Sequence, residues 1–446
     1  MDDVTLALLI FIAAYLAIIS ERIHKTIVAL LGASLMIVSG VLTQEEAFHS
    51  PEHGVDYNVV FLLIAMMVII NIVRKTGLFE WLAVWAAKRT QARPFPMMAL
   101  LCTITAVLSA FLDNVTTVLL MAPVTLELAK RLQVEPVPFL VGEALSSNIG
   151  GTATLVGDPP NIMIASKASL GYLDFLVMLG PVTIVIFVLF LLAIWIFSGR
   201  GMKVSPELQA QVLALDEGET IRDARLLRTS LWLLGLTTVG FCFHGVLHVE
   251  PATIALLSAS IFMVAGHGRG SNSGEAELDY LTEVEWKTIF FFIGLFILVG
   301  GLVKTGVIGL LAKQLIVLTK GSEVGTAMAV LWGSAIISAI VDNIPYVAAM
   351  NPLIIDLARS LHPSISDPVA LVHQPDIVPL WWALALGACL GGNGTVIGAS
   401  ANVIIVDLAR RAGYHISFGR FMLMGVPVML GSMVVSTLYL WLLFFR

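Results

Sequence analysis

Charged residues are scarce in this sequence. Asp, Glu, Lys and Arg supply 13% of the 446 residues, hydrophobic residues supply 58%, and the mean hydropathy is +0.93. A soluble globular chain usually carries about a quarter of its residues as charged side chains. The composition therefore excludes the soluble class and predicts a multi-pass protein of a cell membrane, for which we expect the bacterial inner membrane.

Cysteine and nucleotide-binding motifs are also lacking. The three cysteines, Cys102, Cys242 and Cys389, lie far apart in apolar surroundings, which excludes a disulfide framework and a C-x-x-C metal motif. No G-x-x-x-x-G-K-[ST] stretch is present to bind nucleotide phosphates. Energy for transport would then come from an ion gradient or from a separate ATPase subunit. We expect no cofactor, no resident metal, no nucleic-acid partner and no enzymatic activity.

Two polar, glycine-rich stretches interrupt segments that are otherwise apolar enough to lie in a membrane. The first is Ser146–Asn161 (SSNIGGTATLVGDPPN), and residues 150–164 align without gaps on residues 391–405. Paired glycines and prolines disfavour a continuous helix. In hydrocarbon the freed backbone groups would cost several kcal/mol each unless they line an enclosed wet cavity. Matching broken helices at the membrane midplane are typical of secondary transporters and mark the predicted binding site.

The rest of the chain repeats as well. KTG at 75–77 returns at 304–306, and Asp113-Asn114 returns as Asp342-Asn343, an offset of 229 positions in both cases. Apolar runs predict about five spans and one re-entrant hairpin in each half. An odd number of spans inverts the second copy, so the predicted fold class is an all-α polytopic membrane protein with inverted-topology repeats. The predicted division is a first repeat at 1–197, a cytoplasmic linker at 198–229 and a second repeat at 230–446. With both termini outside, most of the 25 Lys and Arg residues face the cytoplasm, as expected.

Four acidic residues are candidates for proton or ion coupling. Asp113 and Asp342 lie at the two hairpin tips, and an ionisable group at membrane depth indicates function because burial of its charge is costly. The alternative is that each only caps the following helix arm. Asp158 and Glu143 have no acidic counterpart in the second half. In a low-dielectric cavity either could load and release a proton, although Glu143 could instead extend its charge to the interface.

The remaining candidate residues offer neutral hydrogen-bonding groups or exposed backbone to a substrate. They are Asn114, Asn148, Gly150, Gly151, Thr152, Thr154, Asn161, Asn343, Gly391, Gly392, Asn393, Thr395, Ser400 and Asn402. For Asn161 and Asn402, the alternative is that the amide only satisfies the broken backbone. The spaced pairs His49/His53 and His244/His248 lack a nearby third ligand, so we interpret them as loop or interface histidines.

These motifs resemble a known family. The two breaks, GGTATLVGDPPNIMIAS and GGNGTVIGASANVIIVDLA, together with FLDNVTTVLLMAPVT and VDNIPYVAAM, resemble the ArsB/NhaD family of the ion transporter superfamily over nearly the whole chain. The resemblance implies an inverted-repeat fold with a scaffold and a transport domain, elevator-like alternating access, and a site formed by hairpin tips and broken helices. The family includes arsenite/antimonite efflux permeases, sodium/proton antiporters and the melanosomal P protein. The motifs of this sequence are most similar to those of the P-protein-like branch.

Several functions stay open at this stage. The leading hypothesis is export of arsenite or antimonite in exchange for protons, because neutral trihydroxides need amides and hydroxyls more than a fixed charge. Sodium/proton exchange through Asp113, Asp158 and Asp342 comes next, and an anion or dicarboxylate symporter third. A channel, or the membrane subunit of an ATP-driven pump, is the alternative from another class, although inverted repeats favour a carrier. The expected partners are the small inorganic substrate, protons and the lipid bilayer, with a homodimer left open.

Overall fold

The computed structural model describes residues 2–20, 22–198, 204–266 and 279–446, and the regular structure in these ranges is helical. The first half contains α1 (Asp3–Ile19), α2 (Lys25–Val38), α3 (Gln44–His49), α4 (Tyr57–Lys75), α5 (Leu78–Arg89), α6 (Pro94–Phe111), α7 (Asn114–Arg131), α8 (Val137–Gly151), α9 (Pro159–Ala168) and α10 (Tyr172–Ser198).

The second half follows a short connecting helix, α11 (Pro206–Leu213). It contains α12 (Ala224–Leu247), α13 (Pro251–Gly266), α14 (Asp279–Thr282), α15 (Trp286–Lys304), α16 (Val307–Leu318), α17 (Glu323–Ser338), α18 (Asn343–Leu361), α19 (Pro368–Val372), α20 (Val378–Gly391), α21 (Ser400–Arg411) and α22 (Phe418–Phe444). Short 3-10 turns lie at residues 218–220 and 392–394.

The helices confirm an all-α multi-pass membrane protein. Among the described residues six helices are long and apolar enough to cross a membrane, namely α4, α6, α10, α12, α15 and α22. A seventh span results if α16 and α17, bent by 120°, are counted together. The prediction of about five spans per half also counted the broken pairs α8–α9 and α20–α21 and the shorter apolar helices α1, α2 and α13. Length alone does not identify these, because a broken or short helix covers less than the ~30 Å of hydrocarbon.

The two halves exchange partners as copies related by a twofold axis do. Helix α2 packs on α15 while α13 packs on α4, and α9 packs on α18 while α21 packs on α7. The helices α13, α15, α18 and α21 are the repeats of α2, α4, α7 and α9. In each of these two pairs of contacts, the second contact is therefore the first with both helices replaced by their repeats. Ion pairs tie the last residues of α4 and α15 to the opposite half, with Arg74–Glu283 at 2.8 Å and Lys304–Glu46 at 2.6 Å. The broken helices and hairpin tips therefore lie where the two halves meet.

The start of the second half differs slightly from the prediction. Helix α12 begins at Ala224, inside the segment 198–229 predicted as linker. The cause is local, because the Asp223 carboxylate accepts a hydrogen bond of 2.8 Å from the Leu226 amide and so caps a helix at this point. Residues 199–203 of the linker lie outside the described residues.

Inverted repeats predict that the two hairpins enter from opposite faces of the membrane. We expect single cysteines at the exposed positions Arg93 and Lys130 to react with an impermeant maleimide only from the cytoplasm, and those at Glu323 and Ser360 only from outside. The background should lack Cys242, which is the least buried of the native cysteines. Labelling of all four positions from one face would contradict the inverted arrangement.

Candidate functional site

Each hairpin turns at an aspartate that caps the second arm. Helix α6 ends at Phe111, and the Asp113 carboxylate accepts a hydrogen bond of 2.9 Å from the Thr116 amide at the start of α7. In the second half the Asp342 carboxylate accepts one of 3.1 Å from the Ile344 amide at the start of α18. Both aspartates are therefore helix caps, as one alternative proposed. Each keeps a second carboxylate oxygen for other partners.

Each helix break is held together by an asparagine that donates to backbone carbonyls freed by the break. The Asn161 amide donates to the carbonyls of Thr152 at 3.2 Å and Thr154 at 2.9 Å. The Asn402 amide donates to those of Gly392 and Thr395, both at 2.8 Å. These contacts satisfy buried acceptors that would otherwise be costly at membrane depth. For the N–H donors of Asn161 and Asn402, the geometry therefore agrees with the alternative interpretation, in which the amides satisfy the broken backbone.

The threonine hydroxyls fasten each break to the adjacent hairpin. Thr154 donates to the carbonyl of Ala110, and Thr395, its counterpart, donates to the carbonyl of Ala339. Thr152 instead donates to the carbonyl of Asn148 in its own helix, at 2.7 Å. The hydroxyl hydrogens are therefore used within the protein, and only their oxygen lone pairs remain for a ligand.

The paired glycines permit close contact between backbones. A Cβ atom at Gly150 would overlap the carbonyl of Ala106 in α6, and one at Gly391 would overlap the backbone of Ala335 in α17. Gly151 and Gly392 each lie against the backbone at Gly157 and Gly398 of their own break. Gly150 and Gly391 are thus required by packing of the hairpin arm against the broken helix, and Gly151 and Gly392 by close packing within each break.

Between the two breaks lies a buried network of amides around one carboxylate. Asn114 Nδ2 donates to Asp158 Oδ1 at 3.2 Å and to Asn148 Oδ1 at 3.1 Å. Asn343, from the second half, donates to Asp158 Oδ2 at 3.2 Å. All four side chains are at most 3% exposed. Asp158 is therefore where hydrogen bonds from the two halves converge.

The network continues across the second break and ends in an unpaired donor. Asn148 Nδ2 donates to Asn393 Oδ1 at 2.9 Å and to Asn402 Oδ1 at 3.1 Å. Asn114 Nδ2 must face the Asp158 carboxylate, so it also faces Asn148 Oδ1 and fixes the orientation of the Asn148 amide. The orientation of Asn402 is fixed independently by the two backbone carbonyls to which it donates. Asn393 Nδ2 consequently points away from Asn148, and this buried atom has no hydrogen-bond partner. An unpaired buried donor is costly, so it marks a place where a ligand oxygen or a water would bind.

Two cavities lie beside this region at positions related by the internal repeat, and they differ in volume. One, of about 700 Å³, runs from the loop between α1 and α2 to Asp113, Asp342 and Ser400. Its counterpart, of about 420 Å³, lies beside His244 and His248 and is also lined by Leu62, Leu155 and Ile162. Among the described residues no group of three metal-ligating side chains is present at the histidines or elsewhere. The larger cavity therefore reaches both hairpin tips, whereas the buried amide network lines neither cavity.

Comparison with known proteins agrees with this geometry. The family model described as citrate transporter, CitMHS, matches residues 15–387. An uncharacterized transporter of Mycobacterium tuberculosis is 46% identical over 439 residues, covering 98% of each chain. This chain belongs to the CitMHS citrate transporter family. It is a multi-pass membrane transporter.

Two further similarities extend the comparison. The human P protein is 32% identical over 516 residues, which cover 98% of this chain and 60% of that protein. The crystal structure of the Alcanivorax borkumensis YdaH transporter matches 98% of both chains with a TM-score of 0.58 at 13% sequence identity. The second similarity concerns the fold alone.

The transporter also has a site residue that the sequence analysis missed. Lys25, at the start of α2, places Nζ 2.7 Å from Asp342 Oδ2 and 2.9 Å from Ser400 Oγ. Ser400 donates to the same Asp342 oxygen at 2.8 Å. The repeat gives only a weak signal, because the residues that align with Lys25, Pro251 without a gap and Ala252 with a gap of one residue, are not basic. A basic residue between two apolar runs was instead assigned to the cytoplasmic loop charge.

Glu143 lies apart from the amide network. Its Oε1 accepts a hydrogen bond of 2.6 Å from Thr125, and its Oε2 is buried without a partner. The side chain is 0% exposed, so it does not extend to the interface and that alternative was wrong. The structure places Glu143 between α7 and α8, and no hydrogen bond joins it to Asp158 among the described residues.

The close backbone contact at Gly150 generates a testable prediction. Gly150→Ala should lower the midpoint of thermal unfolding in detergent, because overpacking of a tight contact costs about 1–3 kcal/mol. Gly333→Ala is the matched control, since a Cβ at this α17 position meets nothing within 4 Å. It should leave the midpoint unchanged or raise it slightly, because alanine favours helix over glycine by about 1 kcal/mol. Equal midpoints for the two variants would show that α6 and α8 are not in this contact.

Proposed function

We propose that this CitMHS-family transporter exports arsenite or antimonite, as the neutral trihydroxide, in exchange for protons. The observation that carries the proposal is the position of Asp158. It is a single fully buried carboxylate that receives amide hydrogen bonds from both halves of the molecule. Elevator-like movement and the substrate role of the other predicted residues are parts of the same proposal.

Protonation of Asp158 would change contacts in both halves at once. Ionised, it accepts from Asn114 at Oδ1 and from Asn343 at 3.4 Å to Oδ1 and 3.2 Å to Oδ2. A protonated oxygen becomes a donor and accepts less strongly, so the hydrogen bond from the amide that faces it weakens. Asn114 in turn sets the orientation of Asn148. One proton at Asp158 therefore alters the hydrogen bonds that join the two breaks, which is the requirement for coupling a proton to substrate binding.

The chemistry of the site favours a neutral, hydroxylated substrate. Asn114, Asn148, Asn343, Asn393 and Asn402 surround the region, and the free donor of Asn393 suits a hydroxyl oxygen. The carboxylates that line the cavity leading there, Asp113, Glu285 and Asp342, outnumber its lysines, Lys25 and Lys287. Lys25 is already paired with Asp342. A free citrate trianion would meet this excess of negative charge, so the family's description alone does not decide the substrate.

Sodium/proton exchange is the second candidate, and one observation favours it. Asp113 combines a carboxylate with the Thr116 hydroxyl at 2.6 Å, and both are oxygen donors of the kind that Na⁺ accepts. Dicarboxylate or citrate symport is the third, with the family description as its support.

A reconstituted system separates these candidates. We expect purified protein in liposomes with an imposed pH gradient to accumulate radioactive arsenite against its concentration gradient, and to move neither sodium-22 nor carbon-14 citrate. Proton-driven accumulation of sodium-22 or of citrate, without arsenite, would replace the leading proposal by the corresponding alternative.

Asp158→Asn tests the coupling residue. The amide resembles the protonated carboxyl in shape, so the variant should still exchange arsenite across the membrane at equal concentrations. It should lose accumulation driven by the pH gradient by about tenfold or more, because it cannot release a proton. Asp407→Asn is the control, since Asp407 is an acid of the second broken helix that pairs with Arg410 and Arg411 outside the network. Undiminished proton-driven accumulation by Asp158→Asn would place the proton elsewhere.

A further inference from the structure

The hairpin tip of the second half has a built-in cation. Lys25 Nζ lies 2.7 Å from Asp342 Oδ2 and 2.9 Å from Ser400 Oγ, and 4.9 Å from the centre of the Phe291 ring. The Asp342 side chain is 11% exposed and that of Lys25 is 31% exposed. The ammonium group thus binds a carboxylate, a hydroxyl and an aromatic face at the wall of the large cavity.

Among the residues that the structure describes, the first half has the same carboxylate without such a cation. Asp113 corresponds to Asp342. Its Oδ2 accepts a hydrogen bond of 2.6 Å from the hydroxyl of Thr116, in the helix that Asp113 caps. Pro159 stands where the second half has Ser400, and neither Pro251 nor Ala252, which align with Lys25 without and with a one-residue gap, is basic. The pseudo-twofold arrangement therefore supplies two related carboxylate sites, of which only the second contains a lysine ammonium.

We propose that Lys25 is the resident counter-ion of the second site and takes the place of a mobile coupling cation there. A cation at Asp342 would otherwise use the same ligands, a carboxylate oxygen, the Ser400 hydroxyl and the aromatic ring. This inference rests on the proposed proton-coupled transport and deepens it, because a resident charge at the second site leaves the coupling proton to the first half. Its test measures cation binding in detergent, so its failure can be told apart from failure of proton-driven transport.

The ion pair between Lys25 and Asp342 has a second consequence for the same site. Lys25 belongs to α2, which packs on α1 and α15, whereas Asp342 and Ser400 belong to the hairpin and the broken helix. The ion pair therefore joins two different groups of helices. A soluble cation at Asp342 would leave them unlinked. Lys25 thus neutralises Asp342 and also links these two groups of helices in the arrangement that the structure shows.

The experiment removes the ammonium and asks whether a free cation replaces it. Wild-type protein and Lys25→Met are unfolded by heat in detergent, with NaCl exchanged against choline chloride up to about 200 mM at constant ionic strength. A ligand that binds only the folded state raises the midpoint in a saturable way. We expect no difference between the salts for wild type. For Lys25→Met we expect a saturable rise in Na⁺, and Lys25→Met/Asp342→Asn should lose it.

Lys287→Met is the matched control. Lys287 lines the same cavity, is exposed, and forms no ion pair among those found in the described residues. It should behave like wild type. An equal Na⁺ response in Lys287→Met, or none in folded Lys25→Met, would overturn the proposal. If Lys25→Met unfolds on purification in choline, purification in NaCl must rescue it for the proposal to stand, and collapse in both salts refutes it. Lys25→Arg, which retains the charge, should stay indifferent to Na⁺.

Discussion

The structure depends on satisfying backbone groups that two helix breaks expose at membrane depth. An unpaired amide or carbonyl in hydrocarbon costs several kcal/mol, and each break frees several. The solution is the same in both halves, with Asn161 and Asn402 donating across the break and Thr154 and Thr395 fastening it to the hairpin. Only with the backbone satisfied in this way can a polar cavity exist in the middle of the molecule.

The two halves differ in the charged residues that they place at the candidate site. The shared contacts build the scaffold of the site, whereas the charges are unequal, with Asp158 and Glu143 only in the first half and the Lys25 pairing only at the tip of the second. Asp158 receives amide donors from both halves, so its charge state matters to both. A fully symmetric molecule would have two equivalent ion sites. This one has a buried carboxylate on one side of the pseudo-twofold and a neutralised carboxylate on the other.

The helix breaks and hairpin tips around the candidate site could be predicted because they are encoded locally. Paired glycines and prolines break a helix wherever they occur, and the repeat at offsets of 229 and 241 positions identified both breaks and both hairpin tips. Contacts between distant segments were not accessible in this way. Lys25 and Asp342 are 317 positions apart, and nothing near Lys25 distinguishes a site ligand from an ordinary loop lysine. The convergence of Asn114 and Asn343 on Asp158 likewise depends on how the halves are docked. Glu143 was a candidate for coupling, but packing between α7 and α8 separates it from the network.

The glycine contacts between hairpin and broken helix have a mechanical implication. Because α6 lies against α8 without room for a Cβ atom at Gly150, and α17 lies against α20 in the same way at Gly391, neither pair can slide without a clash. Any movement of these helices must therefore carry each pair as a rigid body. The groups that each pair contributes to the site keep their mutual geometry during such a movement.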